Sequence, residues 1–213
     1  DYPKCSTKFT SALKMIKAYY NQTGPIFVYS NFVEAGGVND FAKMLRTENF
    51  QEITKGTCPR EKGKRFAMFK AGQPQENTRI LNIYNSPDNR NGDLIKIILG
   101  SPAMKEGITL LRVSQIHLLD PYWNKSRTEQ IIGRGIRFCS HKDVPESRRK
   151  VSVFHYLATN NQRSRAFVNR KSLTDIDTTV VDGHIYRLSF KKQKTIDKFQ
   201  NILKNVAIDC ELF

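Results

Sequence analysis

The 213-residue sequence predicts an α/β fold: a parallel sheet with flanking helices, followed by a C-terminal helical extension. Three observations predict it. Short apolar runs bounded by Gly, Pro, Ser or Asn recur up to Leu157, as expected of strands buried on both faces. Longer segments with apolar residues at helical spacing separate them. The first apolar run is followed by a Gly-bearing turn and then a helix, the βα unit of a parallel sheet.

The elements follow in order. After a short extended lead, Ser6 to Tyr20 reads as a helix, with Phe9, Leu13, Ile16 and Tyr20 on one stripe. Asn21 to Pro25 breaks it, and Ile26 to Tyr29 reads as a buried strand. Glu34 and Gly36-Gly37 precede a helix through Arg46 carrying Phe41, Met44 and Leu45. Residues 47 to 64 are polar and read as a loop, ending in the basic run Arg60, Lys62, Lys64 and Arg65, which faces either solvent or phosphate. Phe66 to Lys70 is the next strand, and Pro74 to Tyr84 a helix closed by the turn residues Ser86-Pro87-Asp88-Asn89 and Asn91-Gly92-Asp93. Leu94 to Leu99, LIKIIL, is the clearest buried strand, and Gly100, Ser101 and Pro102 terminate it. Ile116 to Leu119 is a strand ending at Asp120-Pro121, and Val151 to Leu157 is the last. From Arg163 the pattern changes. Arg163 to Thr179 is polar, and Thr195 to Cys210 is amphipathic, with Ile196, Phe199, Leu203, Val206 and Ala207 at helical spacing. Two regions result, 1–162 for the sheet and 163–213 for the extension.

Composition narrows the function. The formal net charge is +15, from 35 Lys+Arg against 20 Asp+Glu, which makes a polyanion the expected partner, with nucleic acid first. No apolar run approaches membrane-spanning length, so no membrane partner is expected. The four cysteines, Cys5, Cys58, Cys139 and Cys210, form no C-x-x-C pair, so no zinc site is expected.

The stretch Ser126 to Arg137, SRTEQIIGRGIR, concentrates the chemistry. Ser126 and Glu129 have capping-box spacing, which predicts a helix. On it Gln130, Arg134 and Arg137 fall at i, i+4 and i+7, one amide and two guanidiniums on one face. Gly133 and Gly135 are costly helix residues, at about 1 kcal/mol each, and the expected reason is close approach of a ligand to the backbone. Guanidinium forks suit charge on a transferring phosphoryl group. A basic solvated helix face satisfies the spacing equally well.

QIIGRGIR resembles the Q-x-x-G-R-x-x-R motif that ends the second RecA-like domain of superfamily 2 helicases and translocases. The resemblance extends in order through three further segments. IFVYSNF (Ile26 to Phe32) is similar to motif IV, LIKIILGSPAMKEGITL (Leu94 to Leu110) to motif V, and RVSQIHLLDPYWN (Arg112 to Asn124) to the segment joining motifs V and VI. IGRGIRFCSHKD and the tail Ala207 to Cys210 look closest to helicases of nucleocytoplasmic large DNA viruses, of the poxviral early transcription factor small subunit and nucleoside triphosphatase I type.

The resemblance implies a RecA-like fold and a set of roles. Arg137 would be the arginine finger and Arg134 the second γ-phosphate contact, with Gln130, Glu106 and Gly107 on the nucleotide. Ser30, Asn31, Gly36, Gly37 and Ser101 would grip the nucleic-acid backbone, DNA ahead of RNA. Asp120 and Trp123 would fix the loop that feeds the motif VI helix. The implied partners are an N-terminal RecA-like domain of the same polypeptide and viral transcription machinery, and the implied location is the host cytoplasm and the virion.

The phosphate-cradling motif itself is missing. Gly63-Lys64-Arg65 has Cys58 at the position of the first P-loop glycine and Arg65 at that of Ser/Thr, and no Asp-Glu dipeptide occurs. ATP and Mg²⁺ are therefore expected to be held mainly by a first domain upstream of Asp1, and this chain alone is expected not to hydrolyse ATP. The other function class left open is a non-catalytic nucleic-acid or protein docking module of a viral transcription complex.

Overall fold

Among the residues described by the structure, a computed structural model, six strands pair in parallel. They are Ile26–Tyr29 (β1), Gln51–Glu52 (β2), Arg65–Met68 (β3), Ile97–Gly100 (β4), Gln115–Leu118 (β5) and Ser152–His155 (β6), in the order β2-β3-β4-β1-β5-β6. The helices are Thr7–Ala18 (α1), Val38–Thr47 (α2), Pro74–Asn85 (α3), Lys125–Ile132 (α4) and Val181–Val206 (α5). The structure describes residues 6–21, 24–104, 107–159, 176 and 179–206.

The unbroken apolar runs have a direct cause. Strand residues alternate between the sheet faces, and both faces are covered. On one face Ile26, Val28, Ile97 and Leu99 pack with Phe9, Leu13 and Ile16 of α1 and Phe41 and Leu45 of α2. On the other, Phe27, Tyr29, Ile98 and Ile116 pack with Ile80 and Tyr84 of α3 and Ile131 of α4. Ser6 caps α1 by accepting from the Phe9 N–H. His117 on β5 is structural: its ring nitrogens meet Tyr156 and Gln115, and burial pushes its pKa down to about 3.

Several boundaries differ from the sequence expectation. The polar stretch after α2 contains β2, which pairs with β3 through Gln51 and Glu52. The ladder of β4 starts at Ile97, three residues later than expected, because the Asn89 side chain takes the preceding amides. Its Oδ1 accepts from both Leu94 and Ile95 N–H, at 2.9 Å each. Among the described residues the extension holds a helix of 26 residues that starts at Val181, well before the expected Thr195. No helix among the described residues is long and apolar enough to cross a membrane.

The chain forms two compact units. One comprises Asp1–Asp120 with Gln130–Tyr156 and holds the sheet; the other comprises Pro121–Glu129 with Leu157–Phe213. In the second unit Asp182 accepts the Ala158 N–H, and the Lys192 ammonium lies 4.2 Å from the centroid of Trp123. Trp123 keeps 47% of its surface exposed. Ile196, Phe199, Leu203 and Val206 of α5, expected together at helical spacing, are exposed, as is Ile202. The expected boundary at 162/163, most of the polar stretch from Arg163, the tail Ala207 to Cys210, and Cys5 lie outside the described residues.

Lys96, next to β4, is buried at 4% exposure. Its ammonium reaches the Asn91 carbonyl and lies 4.9 Å from the centroid of Tyr20. Burial pulls its pKa down to about 8. A base with a lowered folded pKa binds fewer protons folded than unfolded between that value and the ordinary lysine value, so its contribution to stability rises with pH there. Above about pH 10 the tyrosines, whose pKa values burial raises, reverse the trend. Lys96→Met is expected to remove the rise above pH 8 and to stabilise the fold at pH 7 by about 2 kcal/mol. Urea titrations at pH 7 and pH 9 check both points.

Candidate nucleotide and nucleic-acid site

The strand register brings the carboxyl ends of three strands side by side. Tyr29 lies opposite both Gly100 and Leu118. The chain runs from β4 past β1 to β5, so the connection changes side here, the position where open α/β sheets bind ligands. Ser30, Ser101 and Asp120 leave the sheet at this edge.

Asp120 is the knot of the edge. Its carboxylate accepts from the Ser30 hydroxyl and from the Asn31 N–H at 3.1 Å, and the Lys8 ammonium stands 3.6 Å away. Ser30 is fully buried, and its Oγ also accepts the Phe32 N–H. Ser101 is buried too, and its Oγ accepts the Ala103 N–H. Asn31 is half-buried, and its side-chain Oδ1 is buried with no hydrogen-bond partner. Of the polar groups expected to grip a strand, the two serines are turned inward and Asn31 has an unused acceptor.

The glycine pair shapes the entry to α2. Gly36 has φ +81°, and its N–H donates to Asp40, which together with Lys43 holds that carboxyl below its usual range. Gly37 is the helix N-cap, and an added Cβ there would stand 2.2 Å from the Phe32 carbonyl oxygen. The Val38 and Asn39 N–H groups are held by the Phe32 and Val33 carbonyls. Gly37→Ala is expected to destabilise the chain by about 2 kcal/mol through overpacking against backbone, readable as a lowered urea midpoint with unchanged slope.

The arginine segment differs from a single continuous helix. Helix α4 starts at Lys125, and the Asn124 side chain accepts the Ser126 N–H at 3.0 Å, so Asn124 does the capping expected of Ser126. The helix ends at Ile132, and tight turns carry the chain on, with Arg134 N–H to Ile131 and Gly135 N–H to Ile132. Arg134 and Arg137 thus sit beyond the helix, and the two glycines do not interrupt it. An added Cβ at Gly135 would stand 3.2 Å from Val113 and Ile116. The close approach expected of a ligand is made at Gly135 by the protein's own sheet.

Two backbone bonds lock this segment beside the approach to β5: Leu110 N–H to Arg134 O at 2.8 Å, and Arg112 N–H to Ser140 O at 3.0 Å. Arg137 is exposed, and its guanidinium donates to the Thr109 hydroxyl at 2.7 Å. Gln130 is exposed and Arg134 is half-buried. Gly107 precedes Thr109 by two residues, with φ +84° and open space around it. Glu106 lies outside the described residues.

Two supports were not legible beforehand. Thr109 orients Arg137 from 28 positions away. Arg112, buried with φ +60°, donates to Asp143 and to the Asn85 and Ser86 carbonyls, tying the end of α3 to the arginine segment. Neither has a local sequence signal, because each acts across a long-range contact.

A six-stranded parallel sheet with a switch point and flanking helices is a RecA-like fold. The chain belongs to the family described as helicase conserved C-terminal domain, which matches residues 7–139. It is 41% identical over 210 residues to a protein of Acanthamoeba polyphaga mimivirus named as an ATP-dependent RNA helicase, covering 98% of this chain and 33% of that protein. It is 28% identical to an African swine fever virus protein named as a homologue of the termination factor NPH-I, covering 96% of this chain and 33% of that one. The chain thus spans about a third of the length of these relatives. Among solved structures, the C-terminal part of the Fun30 ATPase domain has the same fold, with TM-score 0.54 and 15% identity over 88% of this chain and 46% of that one.

Proposed function

We propose that this chain is the second motor domain of an ATP-dependent nucleic-acid helicase or translocase, with Arg137 as its arginine finger. The observation that carries the reading is the placement of Arg137. Its guanidinium is exposed, donates to the Thr109 hydroxyl, and extends from a segment fixed at both ends by backbone bonds to residues 110 and 112. A charge held this way is pre-oriented for a phosphoryl group presented from outside the chain. Arg134 is the second γ-phosphate contact, while Gln130, Glu106 and Gly107 border the nucleotide.

Arginine forks fit the phosphates of ATP, but among the described residues no group of three His, Cys, Asp or Glu could hold a metal. On this reading Mg²⁺ and most of the ATP contacts belong to a first RecA-like domain of the same polypeptide, and this chain alone does not turn ATP over. We take 1–162 as the motor domain and 163–213 as an extension.

On the nucleic-acid side, the Asn31 amide makes the direct contact at the carboxyl edge. Ser30 and Ser101 act by positioning that edge, and Gly36 and Gly37 shape the turn beside it. DNA is the first substrate to test. RNA belongs beside it because a relative carries an RNA helicase name. The likeness to a termination factor homologue supports a role in viral transcription, and the host cytoplasm and the virion are the locations proposed for it. The reading is tested by nucleic-acid-stimulated ATP turnover in the two-domain polypeptide, wild type against the Arg134 and Arg137 variants.

A further inference from the structure

The amino end of the sheet, opposite the edge that carries Asn31 and Asp120, bears a second feature. Three loops far apart in sequence meet there. The Lys62 ammonium reaches Asp93 at 3.2 Å, and the Gly63 N–H donates to the Asp93 carbonyl. The Arg148 guanidinium donates to the Asn91 side chain at 2.9 Å, and Lys96 reaches the Asn91 carbonyl at 3.3 Å. Lys64 and Lys96 both approach the ring of Tyr20, at 5.9 and 4.9 Å from its centroid. Arg65, whose carbonyl accepts the Lys96 N–H, folds back over Gly63.

Five cations, Lys62, Lys64, Arg65, Lys96 and Arg148, thus converge around Tyr20, Asn91 and Asp93. Asp93 is ion-paired to Lys62. Like charges brought together by folding repel, and the fold tolerates them more readily when an anion joins them. The cations also stand at different heights of exposure. Lys62 is 82% exposed, and Lys96 lies beneath the loops. That arrangement presents a buried cation and exposed ones around an aromatic ring.

We infer that this amino-end surface, centred on Lys62, Lys64 and Arg148 around Tyr20, binds the phosphate backbone of the nucleic acid flanking the motor's main grip. It is separated from the carboxyl edge by the height of the four-residue β1, on the order of 13 Å at about 3.3 Å per residue. One strand at the main grip could not reach it without passing around the domain, so its ligand is flanking duplex or an exiting strand. The contact reads charge and not sequence, because each named cation meets phosphate as a point charge or a fork. It rests on nucleic acid being the motor's track but not on the role of Arg137.

The test is fluorescence anisotropy with the full 213-residue chain and a fluorescein-labelled 20-base-pair DNA bearing a single-stranded overhang. Lys62→Glu/Lys64→Glu/Arg148→Glu is compared with Lys14→Glu/Lys55→Glu/Lys142→Glu, an equal charge change at exposed lysines elsewhere. The expected result is at least a tenfold loss of affinity at about 0.1 M salt for the first set. Its log–log salt slope should be shallower by about 2 to 3, and the control should lose clearly less. The glutamine versions at positions 62, 64 and 148 repeat the comparison without reversing charge, and unfolding curves confirm that each variant is folded. Equal weakening by both sets would reduce the effect to net charge and overturn the proposal. Unchanged DNA affinity with lost binding of polyglutamate would assign the surface to an acidic protein and overturn it as well. Turnover in Arg137→Ala is a separate readout, so failure of the motor reading and failure of this surface are distinguishable.

Discussion

Arg137→Ala is expected to lower nucleic-acid-stimulated ATP turnover in the two-domain polypeptide by about 10³-fold or more, the scale of a removed arginine finger. Nucleic-acid affinity should be largely unchanged, because on this reading the side chain meets the γ-phosphate and not the strand. The fold should also survive. Arg137 is exposed and its guanidinium makes one hydrogen bond, to Thr109, so truncation costs at most about 0.5 kcal/mol. A large kinetic loss with an intact fold is what separates a transition-state role from a structural one. Arg137→Lys should rescue little, since an ammonium keeps the charge but loses the planar fork and its reach. Thr109→Val gives a graded control: it keeps the guanidinium and removes its tether, so turnover should fall by much less, about tenfold. Wild-type turnover in Arg137→Ala would make the exposed arginine face a docking surface and move the chain to the non-catalytic reading.

The parts of this molecule that were legible in its sequence are those decided by burial on two faces. IFVY and the β4 run have no polar interruption because α1 and α2 cover one side and α3 and α4 the other, so apolar runs mark strands directly. β2 escaped because two residues, Gln51 and Glu52, carry no periodicity, and their side chains are not core. The start of β4 was misplaced because Asn89 captures two amides from five and six residues away, a competition that composition does not encode. The arginine segment was legible as a constellation but not as geometry. Spacing put three side chains on one helix face, whereas the helix ends at Ile132 and a turn bonded to residues 110 and 112 sets the arginines instead. Gly135 shows why: a glycine demanded by contact with Val113 and Ile116 is indistinguishable, in sequence, from one demanded by a ligand. The same limit hid the inward turn of Ser30 and Ser101, whose partners lie along a neighbouring strand end or one turn onward.

Asp120→Ala is expected to destabilise the chain by about 3 kcal/mol, the cost of removing one partner from a buried, hydrogen-bonded charge network. The Asp120 side chain is 6% exposed, and its loss leaves the buried Ser30 hydroxyl and the Asn31 N–H without their acceptor, and the Lys8 ammonium without its carboxylate. Ser30→Ala should cost less, about 1 kcal/mol, because Asp120 keeps the Asn31 and Lys8 contacts. Asp120→Asn should fall between them, since an amide oxygen can still accept from Ser30 and Asn31 but attracts Lys8 weakly. Urea unfolding of the four proteins, closed as a double-mutant cycle with Ser30→Ala/Asp120→Ala, should show coupling above about 0.5 kcal/mol. Additive costs would mean that the two ends of β1 and β5 are held independently. The consequence for function follows from the same bonds. Asp120 fixes the backbone of Asn31, so a folded Asp120→Ala protein, which has lost the acceptor for that N–H, should bind single-stranded DNA more weakly than wild type, while Asp120→Asn, which keeps an acceptor there, should lose clearly less. A domain that moves along a strand has to transmit the position of its nucleotide edge to its nucleic-acid edge, and Asp120 stands where β5, the strand that leads into the arginine segment, meets the turn that carries Asn31.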